Sequence, residues 1–133
     1  MSGDQIKVVT RGIILDGNGR VLLGKRAGGM GVGRWALVGG KPDEGETPEE
    51  AIKREIKEEL GIEFTPELFK EEMDEVSTPG QVWRVIYFSG PFTGEFKISD
   101  YDISEIKFIG KEDLDSLDIA FGHDRILKEF LNQ

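Results

Sequence analysis

Gly40-Lys41-Pro42-Asp43-Glu44-Gly45-Glu46-Thr47-Pro48-Glu49-Glu50-Ala51-Ile52-Lys53-Arg54-Glu55-Ile56-Lys57-Glu58-Glu59-Leu60-Gly61-Ile62 is a glycine-rich turn running into a helix, and its reading decides the rest of the chain. Thr47 is a good N-cap, Pro48 suits the first helical position, and Glu50 completes a Thr-x-x-Glu capping box. Gly61 supplies the left-handed residue that ends the helix. Ile52, Ile56 and Leu60, spaced by four, form the apolar stripe that faces the core. At about 100° per residue, Glu55, Glu58 and Glu59 fall within an arc of about 100° on the helix surface.

Three like charges on one arc repel each other, by a few tenths of a kcal/mol per i,i+4 pair even in water. Glu55 and Glu59 project beside the apolar stripe, whereas Lys53 and Lys57 fall on the far side with Glu49 and Glu50. Only Glu58 has a basic residue four positions before it, Arg54; Glu59 has Glu55 there. The ridge is poorly neutralised from within its own helix, which makes sense under a hard divalent cation. A Glu/Lys-rich helix is ordinarily just a solvated face. The Gly39-Gly40 turn before it and the spacing of the acids weigh for a metal site.

Gly40, Glu46, Arg54, Glu55, Ile56, Glu58, Glu59, Gly61 and Ile62 match the Nudix box at every defined position. Gly39-Gly40-Lys41 and Gly45-Glu46-Thr47-Pro48-Glu49 resemble the MutT-type members in particular, and weaker similarity covers most of the chain. One departure is Val38, where many members have proline; it frees the approach to the loop but removes no ligand. The resemblance implies an α/β fold, a mixed sheet in an α/β/α sandwich with the box loop and helix at 39–60. It also implies hydrolysis of a nucleoside diphosphate linked to another group, with Mg²⁺ or Mn²⁺ as cofactor. By that resemblance Glu58, Glu59 and the Gly39 carbonyl are metal ligands, and Glu55 is a further ligand or the base that takes a proton from water. Arg54 then orients a neighbouring carboxylate and Glu46 ties loop to helix. Such chemistry suits Mg²⁺, which bridges carboxylates to substrate phosphates and acidifies a bound water.

With 133 residues the chain fits one domain, residues 1–133, able to bury a core without staples. It has no cysteine, hence neither disulfides nor thiolate metal sites. No apolar leader follows Met1-Ser2-Gly3-Asp4 and no stretch reaches membrane-spanning length, so a cytoplasmic protein off the membrane is expected. A net charge of -9 argues against polymeric nucleic acid, including a decapping role, but not against a small nucleotide whose charge a metal neutralises. Many relatives are dimers, so the resemblance also raises a homodimer.

Elsewhere, residues 5–15 read as a largely buried strand and Asp16-Gly17-Asn18-Gly19 as a hairpin turn into a strand over 20–26. Residues 27–34, with four glycines, read as a mobile loop, and Trp35-Ala36-Leu37-Val38 as one short strand into the box. Strands are expected over 67–76, 81–90 and 105–109, and a final helix from about His123 to Leu131.

Outside the box, Glu105 precedes the last strand, where similar proteins place a further acidic ligand or base; Asp100 and Asp102 are its substitutes. Arg26 matches an arginine that contacts substrate phosphate in MutT-like relatives, though a surface ion pair serves it equally. Lys41 is a weaker candidate for the same role. Among Trp35, Trp83, Tyr87 and Phe121, all suited to core packing, Trp83 leads as a base-stacking residue because it follows the Pro79-Gly80 turn. His123, the single histidine, reads as a capping or surface residue, with base reading or proton transfer as the alternative.

The expected reaction is conversion of a nucleoside triphosphate to monophosphate and pyrophosphate, by water attack on phosphorus. The alternatives are cleavage of ADP-ribose or a nucleotide sugar, and a non-catalytic nucleotide-sensing module. ADP-ribose-cleaving relatives often carry a proline fifteen or sixteen residues past the box, and Pro79 lies seventeen past Ile62. Sensing modules usually have eroded boxes, and this one is intact.

Overall fold

The computed structural model describes residues 6–75, 78–98 and 101–132. Among these residues nine strands and two helices follow one another as β1 (Lys7–Ile14), β2 (Val21–Arg26), β3 (Trp35–Ala36), β4 (Val38–Gly40), α1 (Pro48–Leu60), β5 (Glu63–Phe64), β6 (Glu67–Asp74), β7 (Trp83–Gly90), β8 (Phe92–Thr93), β9 (Ile103–Ile109) and α2 (His123–Leu131). A 3₁₀ turn, Lys111–Asp113, lies between β9 and α2. The main sheet has the order β4-β1-β7-β6, with β1 and β7 parallel and both outer pairs antiparallel. A second sheet, β3-β2-β9, is antiparallel, and β5 pairs with β8.

Alternation along the strands sends side chains to two cores. Val9 and Ile13 of β1, Val85 and Tyr87 of β7, and Leu23 of β2 pack with Ile126 and Leu127 of α2. Ile14, Leu22, Ile86 and Phe88 pack with Ile52, Ile56 and Leu60 of α1. The mixed sheet is thus covered by α1 on one face and α2 on the other. Gly12 is what lets α1 approach: a Cβ there would stand 2.6 Å from Ile56 Cδ1.

Helix α1 begins and ends as the sequence requires. Thr47 accepts from Glu50 N, Glu50 accepts from Thr47 N, and Gly61 closes the helix at φ 75°. Helix α2 spans His123–Leu131 as expected. Two expectations are corrected. The Asp16–Gly19 turn forms, with Asp16 Oδ1 accepting from Asn18 N and Arg20 N, but β1 and β2 share only the bridge Leu15–Val21. Both edges of β1 are already taken by β4 and β7, so no hairpin ladder can grow. The single strand expected over 35–38 is split as well: β3 joins one sheet, β4 the other, and Leu37 lies between them. The 27–34 loop folds as a closed turn: Arg26 N donates to the Arg34 carbonyl, Gly33 N to the Arg26 carbonyl and Arg34 N to the Gly31 carbonyl. Strand β9 starts two residues earlier than expected, at Ile103.

Candidate functional site

Helix α1 presents its acids to the turn that precedes it. Gly40 lies so close to Glu55 that a Cβ would overlap its carboxyl group, with Glu55 Oε2 at 2.6 Å. Gly39 is pressed against β1 in the same way, where a Cβ would overlap the Thr10 carbonyl oxygen. Both glycines are therefore fixed by close approach. Thr10 Oγ1 donates to the Gly40 carbonyl at 2.8 Å and holds the strand there.

Arg54 organises the acids. Its guanidinium donates to both Glu46 oxygens at 2.7 and 2.9 Å, to Glu55 at 2.9 Å, to Glu58 at 3.1 Å and to the Lys41 carbonyl at 3.1 Å. Glu46 also accepts from Asp43 N at 2.8 Å, so loop and helix are tied through one side chain. The Arg54 hydrogen bonds hold Glu46 down at a pKa of about 2. A planar fork of five donors can make this set; an ammonium cannot. Arg54→Lys is expected to leave the chain folded and to lower kcat about 10- to 100-fold, the usual cost of losing a partner that orients ligands. Steady-state kinetics beside thermal melts check it.

Glu55 and Glu59 turn inward, while Glu58 stays at the exposed rim. The Glu55 and Glu59 carboxyls lie against each other. Burial first, then Glu55 and Asp102, pushes Glu59 up to about 8, and Arg11 opposes the shift. Glu59 Oε2 is cut off from solvent with no hydrogen-bond partner. A buried carboxylate oxygen without a donor is costly unless a cation meets it. The donor set here, carboxylates and the Gly39 carbonyl, is the all-oxygen kind that hard divalent ions prefer. Among the described residues no three acids or histidines close into a metal cage. Mg²⁺ commonly takes one or two carboxylates, completing its shell with water and substrate phosphate.

The sign of the Glu59 shift makes a second prediction. Its folded pKa lies above the ordinary carboxylate value of 4.5, so between that value and about 8 the folded chain holds a proton that the unfolded chain releases. This group therefore makes metal-free stability fall as pH rises through that window. Thermal melts in chelator at pH 6 and pH 8.5 should show the lower Tm at the higher pH, and excess Mg²⁺ should narrow the gap.

A cleft of about 400 Å³ opens beside these acids over the β4-β1-β7 surface. Gly39, Gly40, Glu55 and Glu59 line it together with Arg26, Lys41 and Trp83, so the structure brings most of the sequence candidates to one place. Lys41 Nζ lies 5.4 Å from the Trp83 ring centroid. Arg26 Nε donates to the Met30 carbonyl at 2.6 Å, anchoring the glycine loop. Glu105 is not brought in: it is exposed on β9 opposite Lys25 and does not line the cleft. Asp102 does line it and acts electrostatically on Glu59. Asp100 lies outside the described residues. Trp35 packs in the core, flanked by Lys25 and Lys107, away from the cleft.

Three cleft residues escape the sequence reading in whole or part. Arg11, in the middle of β1, is opposite Gly39 on one side and Tyr87 on the other. Burial and Arg26 lower its pKa, while Glu59 acts in the opposite direction. Its signal in the sequence is a cation midway along a largely apolar strand. Phe121 lines the cleft with φ 60°, a conformation uncommon for a bulky side chain. His123 is buried, not a surface cap, and its Nδ1 accepts from Leu37 N at 3.0 Å.

The NUDIX domain model matches residues 6–130. The chain belongs to the Nudix family. An ADP-ribose pyrophosphatase of Methanocaldococcus jannaschii is 35% identical over 89% of this chain and 69% of its own length. The nucleoside triphosphatase NudI of Enterobacter sp. is 33% identical over 80% of this chain and 84% of its own. Among solved structures, a MutT Nudix hydrolase from Burkholderia pseudomallei has a TM-score of 0.78 at 30% identity, covering 95% of this chain and 98% of its own. This Nudix chain is accordingly a MutT-like hydrolase of phosphoric anhydrides, acting on nucleoside diphosphate derivatives. Nudix hydrolases generally need a divalent cation and act on small nucleotides. No helix among the described residues is long and apolar enough to cross a membrane.

Proposed function

We propose that this chain hydrolyses a nucleoside triphosphate to the monophosphate and pyrophosphate, using Mg²⁺. The observation that carries the reading is the grouping of Arg11, Arg26 and Lys41 around the Glu55–Glu59 pair in one cleft. A triphosphate concentrates its charge in one tail, and cations lining the same cleft as the acids suit such a tail. Glu59 and the Gly39 carbonyl would hold the ion, with Glu58 available from the rim and Glu55 beside them. When bound, Mg²⁺ neutralises charge developing on phosphorus and lowers the pKa of water. Arg26 and Arg11 bind phosphoryl oxygens, and Lys41 adds charge beside them. Arg54 keeps Glu55 aimed, and a Glu55 carboxylate oxygen takes the proton of the attacking water. Asp102 takes the place that Glu105 was expected to fill. Trp83, with Val9 and Val85 beside it in the cleft, offers a face for the nucleobase. Mn²⁺ suits the same oxygen donors. Residues 1–133 act as one catalytic domain in this reading.

ADP-ribose is the second reading, favoured by the name of the Methanocaldococcus relative. The test is turnover of ribo- and deoxynucleoside triphosphates, oxidised variants, ADP-ribose and nucleotide sugars, with products separated by ion exchange. Preferred release of monophosphate and pyrophosphate supports the proposal. Preferred release of AMP and ribose 5-phosphate from ADP-ribose replaces it with the second. No metal-dependent turnover of any of them overturns both.

A further inference from the structure

Leu37 sits where the chain leaves one sheet for the other, so its N–H has no strand partner; His123 Nδ1 takes that hydrogen bond instead. An imidazole accepting at Nδ1 carries its proton on Nε2 when neutral. Burial, together with Arg11, Arg26 and Arg125, keeps it neutral. His123 is only 2% exposed, yet it lines the cleft. With Nδ1 spent on the backbone, the polar atom it has left to offer is Nε2–H.

Its surroundings say what that donor would meet. The Phe121 ring lies 5.6 Å from the imidazole between centroids, and the guanidiniums of Arg11 and Arg26 stand over the same ring at 5.7 and 5.1 Å. Tyr87 packs edge-on to the imidazole at 6.4 Å. This corner therefore combines two guanidiniums with a neutral N–H, all of them donors. An uncharged nucleobase edge would leave the two cations unanswered, whereas a phosphoryl oxygen answers all three.

We infer that His123 is a substrate-binding residue whose Nε2–H donates to a phosphoryl oxygen held by Arg11 and Arg26, while its Nδ1 fixes the β3–β4 crossover. This rests on the proposal that the cleft is the nucleotide site. It gives one side chain two separable duties, one on each ring nitrogen.

Because His123 is the single histidine, imidazole ¹⁵N resonances are unambiguous. Titrating inorganic pyrophosphate with Mg²⁺ into ¹⁵N-labelled protein should move the Nε2 and Hε2 signals and leave Nδ1 unprotonated. Binding that leaves those signals in place, or no binding of pyrophosphate, overturns the inference whatever the enzyme turns over. Kinetics give an independent arm. The amide oxygen of His123→Asn replaces Nδ1 and offers nothing at Nε2, whereas His123→Gln offers an N–H near Nε2 and loses the Nδ1 acceptor. His123→Asn should raise KM about tenfold, the loss expected for one hydrogen bond to a charged group, and equally for every base accepted. His123→Gln should instead lower Tm by roughly 5 °C, with the smaller KM change. A KM for His123→Asn equal to that of wild type, or a rise confined to one nucleobase, refutes the phosphoryl role. Absence of turnover by the wild-type chain defeats the function proposed above, and the pyrophosphate titration still decides the role of His123.

Discussion

Glu59→Gln is expected to cut Mg²⁺-dependent turnover about a thousandfold and, in chelator at pH 8.5, to leave Tm at or above the wild-type value. The two effects share one cause. Glu59 Oε2 is buried with no hydrogen-bond partner, and the Glu55 carboxyl lies against the same group. Without a metal this is a desolvated anion beside another acid, and an amide of nearly the same shape removes the cost. In the proposed ion site the same oxygen would be a ligand once a metal is bound, and the amide would be a poor one. Turnover and melting curves on the same preparation separate the two. A variant that stays active would remove Glu59 from the proposed ion site. A variant that loses both activity and fold would show that the carboxylate is structural.

The second large effect is expected from Gly39→Ala, through the backbone. The added methyl would overlap the Thr10 carbonyl oxygen, which belongs to the adjacent strand and cannot rotate away. Strand β4 would have to separate from β1, breaking the Arg11–Gly39 register. Overpacking of this kind costs about 1–3 kcal/mol, and against rigid backbone the upper part of that range is expected. Chemical denaturation should show the lowered midpoint, and kcat should fall with it because the Gly39 carbonyl and the Glu55 carboxyl are displaced together. Gly17→Ala is the control: a Cβ there meets nothing within 4 Å, and both readouts should match wild type.

What was legible in the sequence is what is encoded locally. The capping box at Thr47–Glu50, the Gly61 stop and the Ile52/Ile56/Leu60 stripe specify α1 without reference to anything else, and α2 is marked by its own apolar spacing. The acidic ridge rides on α1, so most of the candidate site could be read with it. What depends on pairing was not legible. Nothing in Trp35–Val38 says that the chain changes sheets at Leu37, because the signal is an acceptor supplied from His123 far along the chain. Two-residue strands such as β5 and β8 are too short for any periodicity. Glu105 was favoured over Asp102 by position along the chain, yet the register of β2 against β9 slips between Lys25 and Arg26, setting Arg26 opposite Ile103. A bulge of this kind re-aims side chains at a strand end. Arg11 was hidden by its apolar neighbours, which made its strand read as plain core.

The parallel pairing of β1 with β7 bears on the order in which this molecule can assemble. Lys7–Ile14 aligns with Trp83–Gly90, so most of the chain must be synthesised before the central ladder can form. Contacts between remote segments make for slow folding, because loop closure precedes the gain. The acidic helix, by contrast, is specified within its own thirteen residues. The local signals that place the carboxylate ridge are therefore complete well before Arg11, Trp83 and His123 are brought around it. On the proposed reading, competence to bind a nucleotide arrives last, when α2 docks.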